Sequence, residues 1–159
     1  MKVYKHISWI AVFCWMAIIF YLSHQPGSVS SQLSSGIVAA LLSVFEGVVS
    51  QLDMNIESFH TFVRKNAHFF AYFILGLLSL NAWKSSGVRG VKQLMLGFGI
   101  SVLYAITDEV HQLFIKGRSG EIRDVLIDSG GVGLSVIFQV IFGKLWILQK
   151  EKTIKRNLK

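Results

Sequence analysis

Four long apolar runs, separated by short charged clusters, constrain this chain more than any other feature. They cover Ile7 to Leu22, Asn66 to Trp83, Val91 to Asp108 and Val125 to Leu148. A helix crossing a bilayer needs about 20 predominantly apolar residues, and no single soluble core calls for four such runs in a chain this short. With 52% hydrophobic residues, 16% charged residues and a mean hydropathy of +0.52, the chain is too oily for an ordinary soluble domain. The expected fold class is an all-α polytopic membrane helical bundle with about four transmembrane helices. The expected organisation is a single domain over residues 1–159, with spans at about 7–23, 66–83, 91–108 and 125–148. In the first run, Trp9, Trp15 and Tyr21 are available as interfacial anchors. A cleaved signal peptide is the rival reading there, but the run lacks a small-x-small cleavage site and is dense in bulky aromatics. Pro26 and Gly27 mark a polar loop after it. Leu33, Ile37, Leu41, Val44 and Val48 then recur at helical spacing. They predict a surface amphipathic helix over about 31–50, with a fifth span as the alternative. A basic tail, 149–159, closes the chain.

The formal net charge of +7 would suggest nucleic acid in a soluble protein. In a membrane protein the positive-inside rule accounts for it better, and no nucleic-acid partner is expected. Threading the chain through four spans puts eleven basic residues on one side and five on the other, with eight of the nine acids on the basic-poor side. The prediction is a multi-pass protein of the cytoplasmic membrane, both termini cytoplasmic, with the loop 109–124 outside. The lone Cys14 lies inside the first apolar run and excludes an intrachain disulfide.

Chemistry concentrates between Tyr104 and Gly131. At about 100° per residue, Ser101, Tyr104, Asp108, His111 and Gln112 form a polar stripe on the third run, and Asp124, Asp128, Gly131 and Ser135 form one on the fourth. Both stripes meet at one membrane boundary, and His68 of the second run enters at the same level. Ionisable groups are costly against lipid, so they are expected to turn inward on one another. Three readings stay open. In the first, Arg118 or Arg123 pairs with Asp124 or Asp108 and staples a hairpin. In the second, Asp108, His111 and Asp124, with Asp128 and His68 in reach, hold a divalent metal of unspecified identity. In the third, a histidine oriented by a carboxylate carries protons while arginines hold an anion. The candidate catalytic residues are therefore His68, Asp108, His111, Asp124 and Asp128. The candidate substrate-binding residues are Arg64, Tyr72, Gln112, Arg118 and Arg123. No serine or cysteine has the setting of an activated nucleophile. A transporter is disfavoured because no ionisable residue falls near mid-membrane.

RKNAHFFAYFILGLL at Arg64 to Leu78, YAITDEVHQLF, GRSGEIRD and LIDSGG, with SHQPGSVS after the first run, occur in an order that resembles the VanZ-like family of small bacterial membrane proteins. The positions that match its polar motif are Arg64, Lys65, His68, Tyr72, Asp108, Glu109, His111, Gln112, Gly117, Arg118, Asp124 and Asp128. Ala71 departs from the pattern where many relatives carry an acid, and Lys116 where they often carry proline. The family takes its name from a protein that lowers susceptibility to the glycopeptide teicoplanin. The resemblance therefore implies cell-envelope biology in the lipid bilayer, with a phosphorylated envelope lipid or a glycopeptide antibiotic as partner. The outward motif suits either a hydrolase or transferase on a lipid-linked cell-wall precursor, or a protein that binds or shields it without turnover.

Overall fold

In the computed structural model, residues 2–29 and 56–157 are described, and among them there are helices and turns but no strand. The described residues form four helices: α1 (Lys2–Ser23), α2 (Ile56–Ser85), α3 (Gly90–Gln112) and α4 (Ile122–Asn157). The chain is an all-α membrane bundle. The predicted amphipathic helix at 31–50 lies outside the described residues. The helices outrun the apolar runs that predicted them. α2 begins at Ile56, well before the run at Asn66, and α3 continues past Asp108 to Gln112. α4 runs on through most of the basic tail, where lysine, glutamate, glutamine and arginine are good helix formers and no glycine or proline intervenes.

Among the described residues three segments, Val3–Ser23, Gly90–Gln112 and Ile122–Lys144, are long and apolar enough to cross a membrane. α2 carries the remaining predicted span. It packs against α1, α3 and α4, and Tyr72, Leu75, Ser79, Leu80 and Ala82 along it are buried. Val12 and Ile19 of α1, Ala105 of α3 and Val132 of α4 complete the core. The outer surfaces of the other helices expose large apolar residues such as Ile10, Phe13, Met95, Leu103 and Ile137. That arrangement suits hydrocarbon as solvent, where association relies on close packing rather than on a hydrophobic drive.

Close packing falls on particular glycines. A Cβ built on Gly131 of α4 would run into the backbone carbonyl of Phe69 on α2, and one on Gly97 of α3 would meet Leu80. Gly99, two residues further along α3, faces open space. Gly131→Ala is therefore expected to lower stability by about 1–3 kcal/mol through overpacking against backbone that cannot yield. Gly99→Ala is expected to leave it unchanged or slightly raised. Thermal melting of the two purified variants in one detergent checks the contrast.

Candidate functional site

At the end of the bundle where α3 stops and α4 starts, each of three helices contributes one polar side chain. His68 comes from α2, Glu109 from α3 and Asp128 from α4, and one donor atom of each lies within 4.8 Å of the others. They border a cavity of about 50 Å³ that Gln112, Asp124 and Ile127 also line, together with Arg64, Lys65, Gly117, Arg118 and Ser119. Helix geometry explains the convergence. On α4, Asp124, Asp128, Gly131 and Ser135 recur every three or four residues, and the last three are buried. On α3 the buried row is Gly97, Ser101, Ala105, Asp108, Glu109 and Gln112.

The loop joining α3 to α4 is tied down by charge-assisted hydrogen bonds. Arg118 donates through Nε to the carbonyl of Gln25 (2.9 Å), through one terminal nitrogen to the carbonyl of Leu22 (3.0 Å) and through the other to Oε1 of Gln112 (3.1 Å). These three contacts join the exit of α1 to the end of α3, and the amide of Gly27 adds a hydrogen bond to the carbonyl of Lys116 (3.2 Å). Burial lowers the Arg118 guanidinium from its ordinary value, and nearby Arg64 lowers it further. Gln112 passes the chain on by donating to Oε1 of Glu109 (3.1 Å), whose Oε2 accepts the backbone N–H of Glu121 (3.1 Å). Across the cleft, Lys65 pairs with Asp124 and also reaches Glu121 at 3.4 Å. Asp128 differs from these groups. Its carboxylate is buried, neither oxygen has a hydrogen bond among the described residues, and His68 Nδ1 stands 3.9 Å from Oδ2.

Of the residues expected to form the site, His68, Asp124, Asp128, Arg64, Gln112 and Arg118 line the cavity. Asp108 is buried just behind it, accepting from Ser23 Oγ (2.8 Å) and Gln112 Nε2 (3.3 Å), with its other oxygen unpartnered among the described residues. Tyr72 is wholly buried, and its hydroxyl likewise has no partner among them. His111 turns to the opposite flank of α3, where its Nε2 lies 3.1 Å from His24 Nδ1 and its ring stacks on Phe20. Arg123 is exposed and does not line the cavity. Of the metal candidates Asp108, His111 and Asp124, only Asp124 borders the cavity. The tighter donor set is His68, Glu109 and Asp128. Glu109 matches the family's polar motif but falls outside the candidate site read from sequence, because a stripe centred on Tyr104 and His111 leaves it out. Centring the helix face on Ala105 brings it in.

A model of the VanZ/LLP1 family matches residues 8–143, a stretch containing every residue of the cleft. The chain belongs to the VanZ/LLP1 family. It is also 37% identical over 91 residues to the uncharacterized membrane protein YwnJ of Bacillus subtilis (strain 168), a match covering 57% of this chain and 54% of that one. The chain thus aligns with only about half the length of that relative. No solved structure matches. In this VanZ/LLP1 chain, the motif residues separate into cavity wall, loop clasp and buried support.

Two outcomes follow from the clasp and the ion pair. Arg118→Lys keeps the charge but loses the planar fork that reaches three acceptors, so it should lower the melting temperature nearly as far as Arg118→Ala. For the pair, the hydrogen bond to Asp124 raises the Lys65 ammonium above the ordinary 10.5. A raised lysine stabilises the fold fully below that ordinary value, and the contribution is lost as pH climbs through the higher folded value. A double-mutant cycle with Lys65→Met and Asp124→Asn should show coupling of about 0.5–3 kcal/mol at neutral pH. The coupling should decline as pH rises above 10.5.

Proposed function

We propose that this VanZ/LLP1 protein works in the cell envelope by holding the anionic headgroup of a phosphorylated lipid, or of a lipid-linked cell-wall precursor, in the cleft at the charged end of the bundle. The observation that carries this reading is the pair Arg64 and Arg118 on one cavity, close enough for the charge of Arg64 to disfavour that of Arg118. Arg64 has no hydrogen-bond or ion-pair partner among the described residues, and Arg118 uses only three of the five N–H groups a guanidinium carries. An anion between them relieves their repulsion, and the planar fork of arginine matches phosphate oxygens. Lys65 adds positive charge but is already matched by Asp124. The cavity is too small for a whole headgroup, so the phosphate enters while the rest of the lipid stays in the leaflet.

In this reading residues 1–159 act as one membrane domain of the cytoplasmic membrane, with both termini inside and the cleft facing out. Lipid-linked precursors and glycopeptide antibiotics meet on that side. Teicoplanin tolerance, the trait for which the VanZ-like family is named, then follows from occupying or altering a precursor that the drug recognises. A hydrolase or transferase is the second reading, favoured by His68 standing beside the buried Asp128 at the floor of the cleft. A general acid–base group needs that kind of setting.

The test compares polyprenyl phosphate with the uncharged polyprenol in nanodiscs carrying the full chain. The phosphate should bind, the alcohol should not, and Arg64→Ala should weaken binding by about tenfold to a hundredfold, as loss of a charge-assisted hydrogen bond of about 1.5–3 kcal/mol predicts. In intact cells, Ser119→Cys should react with an impermeant thiol reagent while Ser85→Cys should not. Equal binding of alcohol and phosphate would remove the phosphate reading, and the reverse labelling would invert the orientation.

A further inference from the structure

We infer that His68, Glu109 and Asp128 bind one divalent first-row transition-metal ion, Mn2+ or Zn2+, at the floor of the cleft. The inference deepens the phosphate reading and rests on the same cavity, but its own support lies in different atoms. The first support is convergence: one nitrogen donor and two carboxylate donors, from three separate helices, within 4.8 Å of one another. Metal–ligand distances of about 2.0–2.2 Å put two donors about 3 Å apart when adjacent around an ion, and about 4.4 Å apart when opposite. The His68 to Asp128 gap of 3.9 Å lies between these limits. It is too long for a hydrogen bond and suitable for a shared ion.

The second support is Asp128 itself. It is 0% exposed, and neither carboxylate oxygen accepts a hydrogen bond among the described residues. A buried carboxylate without donors is costly, and coordination to a cation is one of the few ways to satisfy both oxygens at once. Glu109 is built differently. Gln112 and the backbone N–H of Glu121 each donate to one of its oxygens, and Arg118 in turn holds Gln112. That is the kind of outer support that aims a ligating carboxylate while leaving lone pairs for an ion. Neither Lys65 nor Arg118 is hydrogen-bonded to the three donors: Lys65 sits on Asp124, and Arg118 sits on carbonyls and Gln112.

The third support is room. A cavity of about 50 Å³ accommodates an ion with one or two waters, since a water requires about 10–15 Å³ of such space. Three protein donors with water-filled positions describe an open site rather than a closed structural one. The mixed donor set, one imidazole with two carboxylates and no thiolate, suits Mn2+ or Zn2+ better than Cu+ or an iron–sulfur cluster. An ion there, with Arg64 on the same cavity, gives a bound phosphate two different positive partners.

The test uses the full chain in detergent, stripped with a chelator and titrated with Mn2+ by electron paramagnetic resonance and with Zn2+ by calorimetry. One ion per chain is expected, with a nitrogen coupling to Mn2+ that disappears in His68→Gln. Asp128→Asn and Glu109→Gln should abolish binding. Gln112→Ala, which leaves all three donors in place, should weaken it by about 10–100-fold. His111→Gln, on the far flank of α3, should bind as the unchanged protein does. Melting curves of each metal-free variant show whether it is folded, and the Gln112→Ala and nitrogen-coupling results stand even if a carboxylate variant fails to fold. Arg64→Ala should keep the ion while binding polyprenyl phosphate more weakly. Substoichiometric binding by the unchanged chain, or an Mn2+ signal without nitrogen coupling, overturns the metal site. Phosphate binding by metal-free protein that takes up no ion would overturn it too, while leaving the phosphate reading intact.

Discussion

Carboxylates carried on helices that cross a bilayer must find partners inside the bundle, and the arrangement at the charged end follows from that. An ionisable side chain costs about 2.5–3.5 kcal/mol at the centre of a membrane helix, somewhat less near its ends. A hydrogen bond to a charged group returns about 1.5–3 kcal/mol. Glu109, with two such bonds, is offset. Asp108, with two bonds gathered on one oxygen, is partly offset. Asp128 has none among the described residues and is the least satisfied of these three acids. The clasp made by Arg118 is the other half of the same constraint. It joins the exit of α1 to Gln112, which holds Asp108 and Glu109 together.

α2 is the hub that makes this possible. A helix meeting three neighbours needs little hydrophobicity of its own, and it carries the half-buried Arg64, Lys65 and His68 and the buried Tyr72 along one side. Its contact with α4 is close enough for Gly131 to touch the backbone of Phe69. That approach sets His68 and Asp128 at the level of Glu109. Fold and site are therefore coupled through a few small residues, and a larger side chain at the crossing would separate the helices that supply the donors.

The sequence made the all-α membrane bundle legible, because bilayer thickness leaves a strong mark in the length of apolar runs. Which side of each helix faces inward was legible only in part. On α4 the inward row was recognisable from Asp128, Gly131 and Ser135, since polar and small residues there share one period. On α3 two rows compete, one through Tyr104 and His111 and one through Ala105 and Glu109. Composition alone does not choose between them. The choice comes from α1, whose Phe20 and His24 stack with His111 and draw it away from the cavity. Arg123 and Lys65 show the same limit. Arg123 stands beside Arg118 as a candidate anion ligand by sequence, but it lies on the exposed side of the first turn of α4. Lys65 is matched to Asp124 by a contact between residues fifty-nine positions apart, which no local pattern encodes.

The two ends of the bundle are built from different chemistry, and the difference bears on function. At the far end, Trp9 Nε1 donates to Ser86 Oγ (3.0 Å), Ser8 meets Ser85 and Asn81, and Trp9 packs edge-on against Trp83. These are neutral groups of the kind that anchor helices at a membrane interface. They fasten α1 to α2 without any ionised side chain among them. A bundle that needed only to be held together could use such contacts at both ends. Instead the opposite end gathers His68, Glu109, Asp128, Arg64 and Arg118 on one small cavity, although each charge there must be desolvated and matched. Buried ion-bearing groups contribute little net stability compared with well-packed apolar ones. A stability requirement alone therefore does not account for them, and the ligand proposed above would supply the missing reason.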